Sequence, residues 1–205
     1  MRFLIFILFI FKFVLWLHAE EPQVTLKKIQ QMKTVIENTA KVFEIDPLVL
    51  SSIIYTERTL NFNWDDEVFD EYLAQLGYNS SIGFCQIKIK TAFFVENQYF
   101  NLDHMRSLYG KYIIRSQTKK ELIEKLNSDS VNVVYAAAYI RLIQNFWKLH
   151  EFPIHNKPEI IGTLYSIGLY NSNGTIRKPH FAPSANEFGL KVSEAFSSYY
   201  SKEII

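Results

Sequence analysis

The stretch Leu48–Asn63, LVLSSIIYTERTLNFN, decides how the chain is read. Counting back from Glu57 in helical steps reaches Ile54, Ile53 and Leu50, so a carboxyl group shares the apolar stripe of a helix. Two readings are open. The side chain emerges at the helix end and pairs with Arg58 or a lysine in solvent. Alternatively its apolar neighbours disfavour the charged form and raise its pKa, which makes a proton donor usable near neutral pH. Cleavage of a glycosidic bond requires such an acid, because the leaving oxygen must be protonated.

Just upstream, Asp46 is a good N-cap and Pro47 an ideal first helical residue, so this helix is expected from Pro47 to about Arg58. Before it, Ile29, Met32, Ile36, Ala40 and Phe43 follow helical spacing over about Thr25 to Phe43. Downstream, TKKELIEKLNS opens with a capping box, Thr118 and Glu121. The next helix places Val133, Ala137, Ile140 and Phe146–Trp147 on one stripe and ends near His150. Pro158 to Asn171 reads as an apolar helix stopped by NSNG, and a last one begins at Ser184 with a second box, Ser184 and Glu187. The pattern predicts a mainly α, single-domain protein with little or no β structure.

The N-terminus, MRFLIFILFIFKFVLWLHAEEP, has Arg2, an apolar run broken only by Lys12, and Leu17-His18-Ala19 before a polar stretch. That is the layout of a secretory signal, and the run is shorter than the roughly 20 residues of a spanning helix. Cleavage after Ala19 is expected, leaving residues 20–205 as the domain; an uncleaved segment would instead attach the protein to a membrane. Removing residues 1–19 takes the formal charge from +1 to −1. A near-neutral domain argues against nucleic acid as a partner, since phosphate binding leans on clustered Lys and Arg. The one cysteine, Cys85, permits no internal disulfide, so the fold must stand on its core, for which 48% hydrophobic residues suffice. The histidines at 104, 150, 155 and 180 lack zinc-ligand spacing, and neither a metal nor another cofactor is expected.

Three further stretches bear on chemistry. In SIGFCQI, Ser81 to Ile87, Gln86 lies among Phe84, Cys85 and Ile87, with Gly83 just ahead. That arrangement suits either a cleft wall where a ligand nears the backbone or a half-buried turn with Gln86 facing water. Asn171 in GLYNSNG is either a substrate contact or the cap of the preceding helix. The run Asp65, Asp66, Glu67, Asp70, Glu71 is either a solvated face or the source of a second carboxylate.

In this order the pieces resemble the soluble lytic transglycosylase family, lysozyme-like enzymes that cut bacterial peptidoglycan. VFEIDPLVLSSIIYTERTLNFN is similar to the family's Asp-Pro helix ending in Glu-Ser, and SIGFCQIKIKTA to Gly-Leu-Met-Gln-Ile followed by Thr-Ala. NVVYAAAYI, with Asn132, Ala136, Tyr139 and Ile140, resembles Asn-Ile-x-x-Gly-x-x-Tyr-Leu, and GLYNSNG looks like Ala-Tyr-Asn-Ala-Gly. The series covers most of the chain after the signal. It implies a lysozyme-like fold, export to the periplasm or cell envelope, and peptidoglycan glycan strands as substrate. Glu57 matches the catalytic acid. Ser81, Gly83, Phe84 and Gln86 match the motif lining the sugar cleft. Tyr170 and Asn171 match the pair beside the glutamate, where the tyrosine helps hold it. The reaction so implied uses one carboxyl group twice and leaves 1,6-anhydro-muramic ends.

The departures are Arg58 for the serine after the glutamate, Phe84-Cys85 for Leu-Met, and Ser172-Asn173 for Ala-Gly. A further departure is the long spacing between Thr91 and Asp129, so that ENQYFNLDHMRSLYGKYIIRSQ, Glu96 to Gln117, is expected as an insertion beside the cleft. Two alternatives stay open. The acidic run at Asp65–Glu71 suits a lysozyme-type hydrolase, and the loosened motifs suit a non-catalytic cell-wall binding or assembly protein.

Overall fold

The computed structural model describes residues 19–60, 79–171 and 173–202, with side chains up to residue 198. The expected signal segment before Ala19 and the acidic run Asp65–Glu71 lie outside the described residues. Helices dominate: α1 (Pro22–Gln31), α2 (Lys33–Phe43), α3 (Pro47–Leu60), α4 (Ile89–Asn101), α5 (Asp103–Tyr109), α6 (Lys119–Leu126), α7 (Asp129–Leu149), α8 (Pro158–Ile167) and α9 (Glu187–Lys202). Among the described residues the β structure is a hairpin, β1 (Ser81–Ile82) antiparallel to β2 (Ile87–Lys88), and one isolated bridge, as slight as expected. Among the described residues no helix is long and apolar enough to cross a membrane.

The single helix expected over Thr25–Phe43 is broken at Met32 (φ −92°, ψ 2°), whose amide is shared between the Lys28 and Ile29 carbonyls. Its apolar stripe nonetheless runs on through Ile29, Ile36, Ala40 and Phe43, all buried. α3 starts as expected: the Asp46 carboxylate accepts from the Leu48 amide at 2.8 Å. Its Leu50, Ile53 and Ile54 are fully buried. α7 is the central helix. Ala136, Ala137 and Ala138 occupy little space on it, and α2, α3, α4, α6 and α8 all pack against it.

Two helix ends differ from expectation. α8 stops at Ile167 rather than near Asn171, because Gly168 takes φ +80° and diverts the chain. The chain beyond folds back through a bridge between Tyr170 and Ile176, so Asn171 belongs to a turn and caps nothing. α9 is capped by Asn186, whose Oδ1 accepts from the Gly189 amide at 2.8 Å, and not by the box expected at Ser184. Asn186 is preferred because it also bonds Thr163 and Ser166, which joins the start of α9 to α8. The two helices touch closely: a Cβ on Gly189 would lie 2.1 Å from the Glu159 carbonyl oxygen.

The segment between Thr91 and Asp129 is folded into helices and packs on the core. Tyr99 and Tyr109 pack on Phe43, and Tyr99 donates to the Ala138 carbonyl. Glu96, 1% exposed, accepts from the Ser116 amide and hydroxyl and from the Tyr135 hydroxyl. Its three hydrogen bonds tie α4, the α5–α6 loop and α7 together.

One side chain of α7 satisfies much of the hairpin turn's buried backbone. Asn132, fully buried on α7, donates to the Ile82 and Leu126 carbonyls at 2.8 and 2.9 Å and accepts from the Cys85 amide at 2.7 Å. Gly83 in the same turn has φ +74°, and a Cβ there would sit 2.4 Å from both the Asn132 amide and the Leu126 oxygen. Replacing Asn132 by Ala strands three buried backbone groups, at a cost of roughly 3 kcal/mol or more. Thermal unfolding should therefore drop by about 10 °C, and Gly83→Ala should be destabilised in the same assay.

Candidate functional site

Glu57 lies in the last turn of α3, half-buried. The neighbours that feel its charge come from three elements: Cys85 in the hairpin turn, Lys88 on β2 and Tyr165 on α8. Burial pushes the Glu57 carboxyl up to about 8, and the charge of Lys88 opposes this only in part. No hydrogen bond lowers it: among the described residues Glu57 accepts none. The negative end of the α3 dipole also disfavours an anion there. The result is a carboxylic acid that keeps its proton at neutral pH.

Arg58 does not pair with Glu57. Adjacent helical residues diverge by about 100°, and the guanidinium turns to Glu20, bonding both carboxylate oxygens at 2.7 Å. Its plane lies over the Phe84 ring, 5.0 Å from the centroid, and Nη1 approaches the Phe84 carbonyl at 3.5 Å. The side chains of Arg58 and Glu20 are 3% and 7% exposed. Burial alone would raise the Glu20 pKa, but hydrogen bonds from Arg58, Lys28 and Thr25 outweigh it and hold the carboxyl at about 2. The alternative in which Glu57 pairs with Arg58 in solvent is thus excluded.

The hairpin turn presses on the same corner. Gln86 is buried in a left-handed conformation (φ +51°), and both its amide and Nε2 donate to the Gly83 carbonyl. Of the two expectations for this turn, the one with Gln86 facing water fails. Phe84 and Cys85 are buried, and the Cys85 carbonyl accepts from the Tyr165 hydroxyl at 2.9 Å. Ser81 pairs with Lys88 across the hairpin. Burial pushes the Cys85 thiol well above its ordinary range.

A groove of about 340 Å³ opens alongside, lined by Lys88, Phe94, Tyr139, Tyr165, Tyr170 and neighbouring backbone. It shares Phe94, Leu169 and Tyr170 with a larger one of about 640 Å³, walled by Leu102, His104, Met105 and α7. Aromatic faces with a few polar groups are what a sugar ring packs against. The Tyr170 ring stands edge-on to Phe94 with centroids 5.8 Å apart and is 46% exposed, so it forms a wall of the groove. Its expected contact with Glu57 is not made: Glu57 accepts no hydrogen bond from it. Asn171 is engaged by its own turn, with Nδ2 donating to the Thr175 hydroxyl.

The structure therefore gathers Glu57, Gly83, Phe84 and Gln86 at one corner and sets Tyr170 along the adjoining groove, with Ser81 at the hairpin's edge. Asn171 lies in the neighbouring turn. Lys88, Tyr165, Phe94 and Glu20 were not singled out from the sequence. The hydroxyl of Tyr165 in the mainly apolar run IIGTLYSI, and the alternation in QIKIK, were the available signals for two of them. Among the described residues no cluster of His, Cys, Asp and Glu could hold a metal ion. No protein-family model matches the chain, and no curated protein matches it.

The raised Glu57 pKa has a sign that can be tested. Between about 4.5 and 8 the native state binds a proton that the unfolded state has released, so this group's contribution to stability falls as pH rises through that window. Glu57→Gln should raise the melting temperature at pH 9 by several degrees and change it little at pH 4.

Proposed function

We propose that the protein is an exported peptidoglycan lytic transglycosylase of lysozyme-like type. On this reading the chain is cut after Ala19, Glu57 is the catalytic acid and base, and the substrate is a glycan strand of peptidoglycan. The single observation that carries the reading is the Glu57 carboxyl, pushed by burial to about 8 and without a hydrogen bond among the described residues, beside Lys88 and Tyr165, which line an aromatic-walled groove.

Glu57 donates its proton to the oxygen joining C1 of N-acetylmuramic acid to N-acetylglucosamine, and that C1–O bond breaks. The carboxylate so formed accepts the proton of the muramic 6-hydroxyl as O6 closes on C1. One bond is broken and one formed, no water is consumed, and Glu57 ends as it began. A single residue serves both steps, so no second carboxylate is needed, unlike hydrolysis, which pairs two at roughly 5–9.5 Å. Lys88, near enough to weaken the hold of burial on the proton, keeps the carboxylate from becoming prohibitive in the second step. Phe94 and Tyr170 offer apolar faces to sugar rings along the groove.

Purified sacculi digested with the protein should release muropeptides bearing intact 1,6-anhydro ends, read by mass. Reducing ends alone would identify a hydrolase instead. Glu57→Gln should lower the rate of turbidity loss by at least about a hundredfold while leaving sacculus binding unchanged; equal rates would leave a binding protein. Activity of the parent should decline above pH 8, where the acid loses its proton.

A further inference from the structure

The groove beside β2 and α8 is one-sided in charge. Lys88 and Lys90 line it, and among the described residues no Asp or Glu does. The larger groove, which it joins at Phe94, Leu169 and Tyr170, adds Lys148 and His104, again without an acid among the described residues. The whole chain has 22 basic and 21 acidic residues, so this is a local separation of charge and not a reflection of composition. None of the three lysines forms an ion pair among the described residues. By contrast, the groove between α1, α3 and α9 holds Lys191 paired with Glu194 at 2.8 Å.

The lysines are placed by specific bonds. Lys88 Nζ donates to the Ser166 carbonyl at 3.2 Å, which carries the ammonium across to the end of α8. An ammonium has three donors, and this bond takes one. The Lys90 amide donates to Asn79 Oδ1 at 2.9 Å, which fixes the start of α4 while the side chain stays exposed. Lys90, Phe94 and Gln98 recur every four residues, so they share one face of α4 and the joined grooves follow it. Behind the wall, Arg177 Nε donates to the Gly168 carbonyl at 3.1 Å. A ligand suited to this lining has an apolar ring face for Phe94 and Tyr170 and a negative charge for the lysines one helical turn away. Lysine, a compact point charge without a planar fork, matches a single carboxylate, and so few cations fall short of what a nucleic-acid backbone needs.

We propose that Lys88 and Lys90 are specificity-determining residues that pair with a carboxylate carried by the glycan, so that the groove selects acidic strands over neutral ones. The proposal rests on the glycan reading given above and goes beyond it, to which chemical feature of the strand is recognised and by which side chains. In peptidoglycan such a carboxylate comes from the lactyl arm of muramic acid or from the peptide attached to it.

The test is binding, read by titration calorimetry at low salt on Glu57→Gln protein so that no strand is cut. The probes are glycan strands stripped of peptide by an amidase and strands that keep their peptides, each with carboxylates free or converted to methylamides. Free carboxylates should tighten binding by about fivefold or more, and the difference should shrink as salt is added. Lys88→Met/Lys90→Met should abolish the difference while leaving affinity for the methylamides unchanged, and Lys88→Arg/Lys90→Arg should keep it. A preference seen with stripped strands assigns the lactyl carboxylate, and one confined to peptide-bearing strands assigns the peptide. Equal affinity for charged and methylamidated strands of both kinds overturns the proposal, and so does a preference that persists in the double methionine variant. The comparison is made without turnover, so it stands apart from the assignment of activity. Release of anhydro ends by the parent with no charge preference would sink only this inference, and a charge preference without any lysis by the parent would sink only the proposed activity.

Discussion

The corner around Glu57 depends on the way Asn132 satisfies the hairpin turn. A turn that must be buried brings polar backbone with it, and each unpaired amide or carbonyl there costs free energy. One amide side chain on α7 answers two carbonyls and one N–H, from Ile82, Leu126 and Cys85. With those groups paired, the turn can be buried. Gly83 is what allows so close an approach. Removing water at this point raises the Glu57 pKa, so the chemistry of the site follows from a hydrogen-bonding solution made on another helix.

The same corner shows how a local conflict is resolved at a distance. An acid whose protonated form burial favours and an arginine follow one another in the chain. Helical geometry turns them apart, burial acts on the first, and a carboxylate from before α1 receives the second. Neither side chain is left in an unpaired ionised state. The glutamate avoids the cost by keeping its proton, and the arginine avoids it by a two-pronged ion pair.

Much of the helical frame was legible because its signals are local. Asp46 and Pro47 mark the start of α3, and the spacing of Ile29, Ile36, Ala40 and Phe43 marks the buried face of the first two helices. Thr118 caps α6 as its position suggests, although the Glu121 carboxylate reaches the Gln117 amide and not that of Thr118. The misread boundaries are those where a tertiary contact outbids a local one: Asn186 caps α9 because it can also bond α8, and Gly168 ends α8 so that Tyr170 can pair with Ile176. At the site, Glu57, Gly83 and Gln86 were visible as polar or small residues in an apolar setting. Glu20 was invisible in that sense, since nothing in its own surroundings in the chain points 38 residues ahead to Arg58.

Cys85 carries a separate consequence. Its side chain is fully buried and its thiol held well above its ordinary pKa, so the nucleophilic thiolate is scarce and screened from reagents. A lone sulfur of this kind gives an oxidant or a second copy of the chain nothing to attack while the fold persists. Covalent cross-linking between molecules then reports unfolding rather than encounter, and the thiol serves as a built-in sensor of whether the hairpin is still docked.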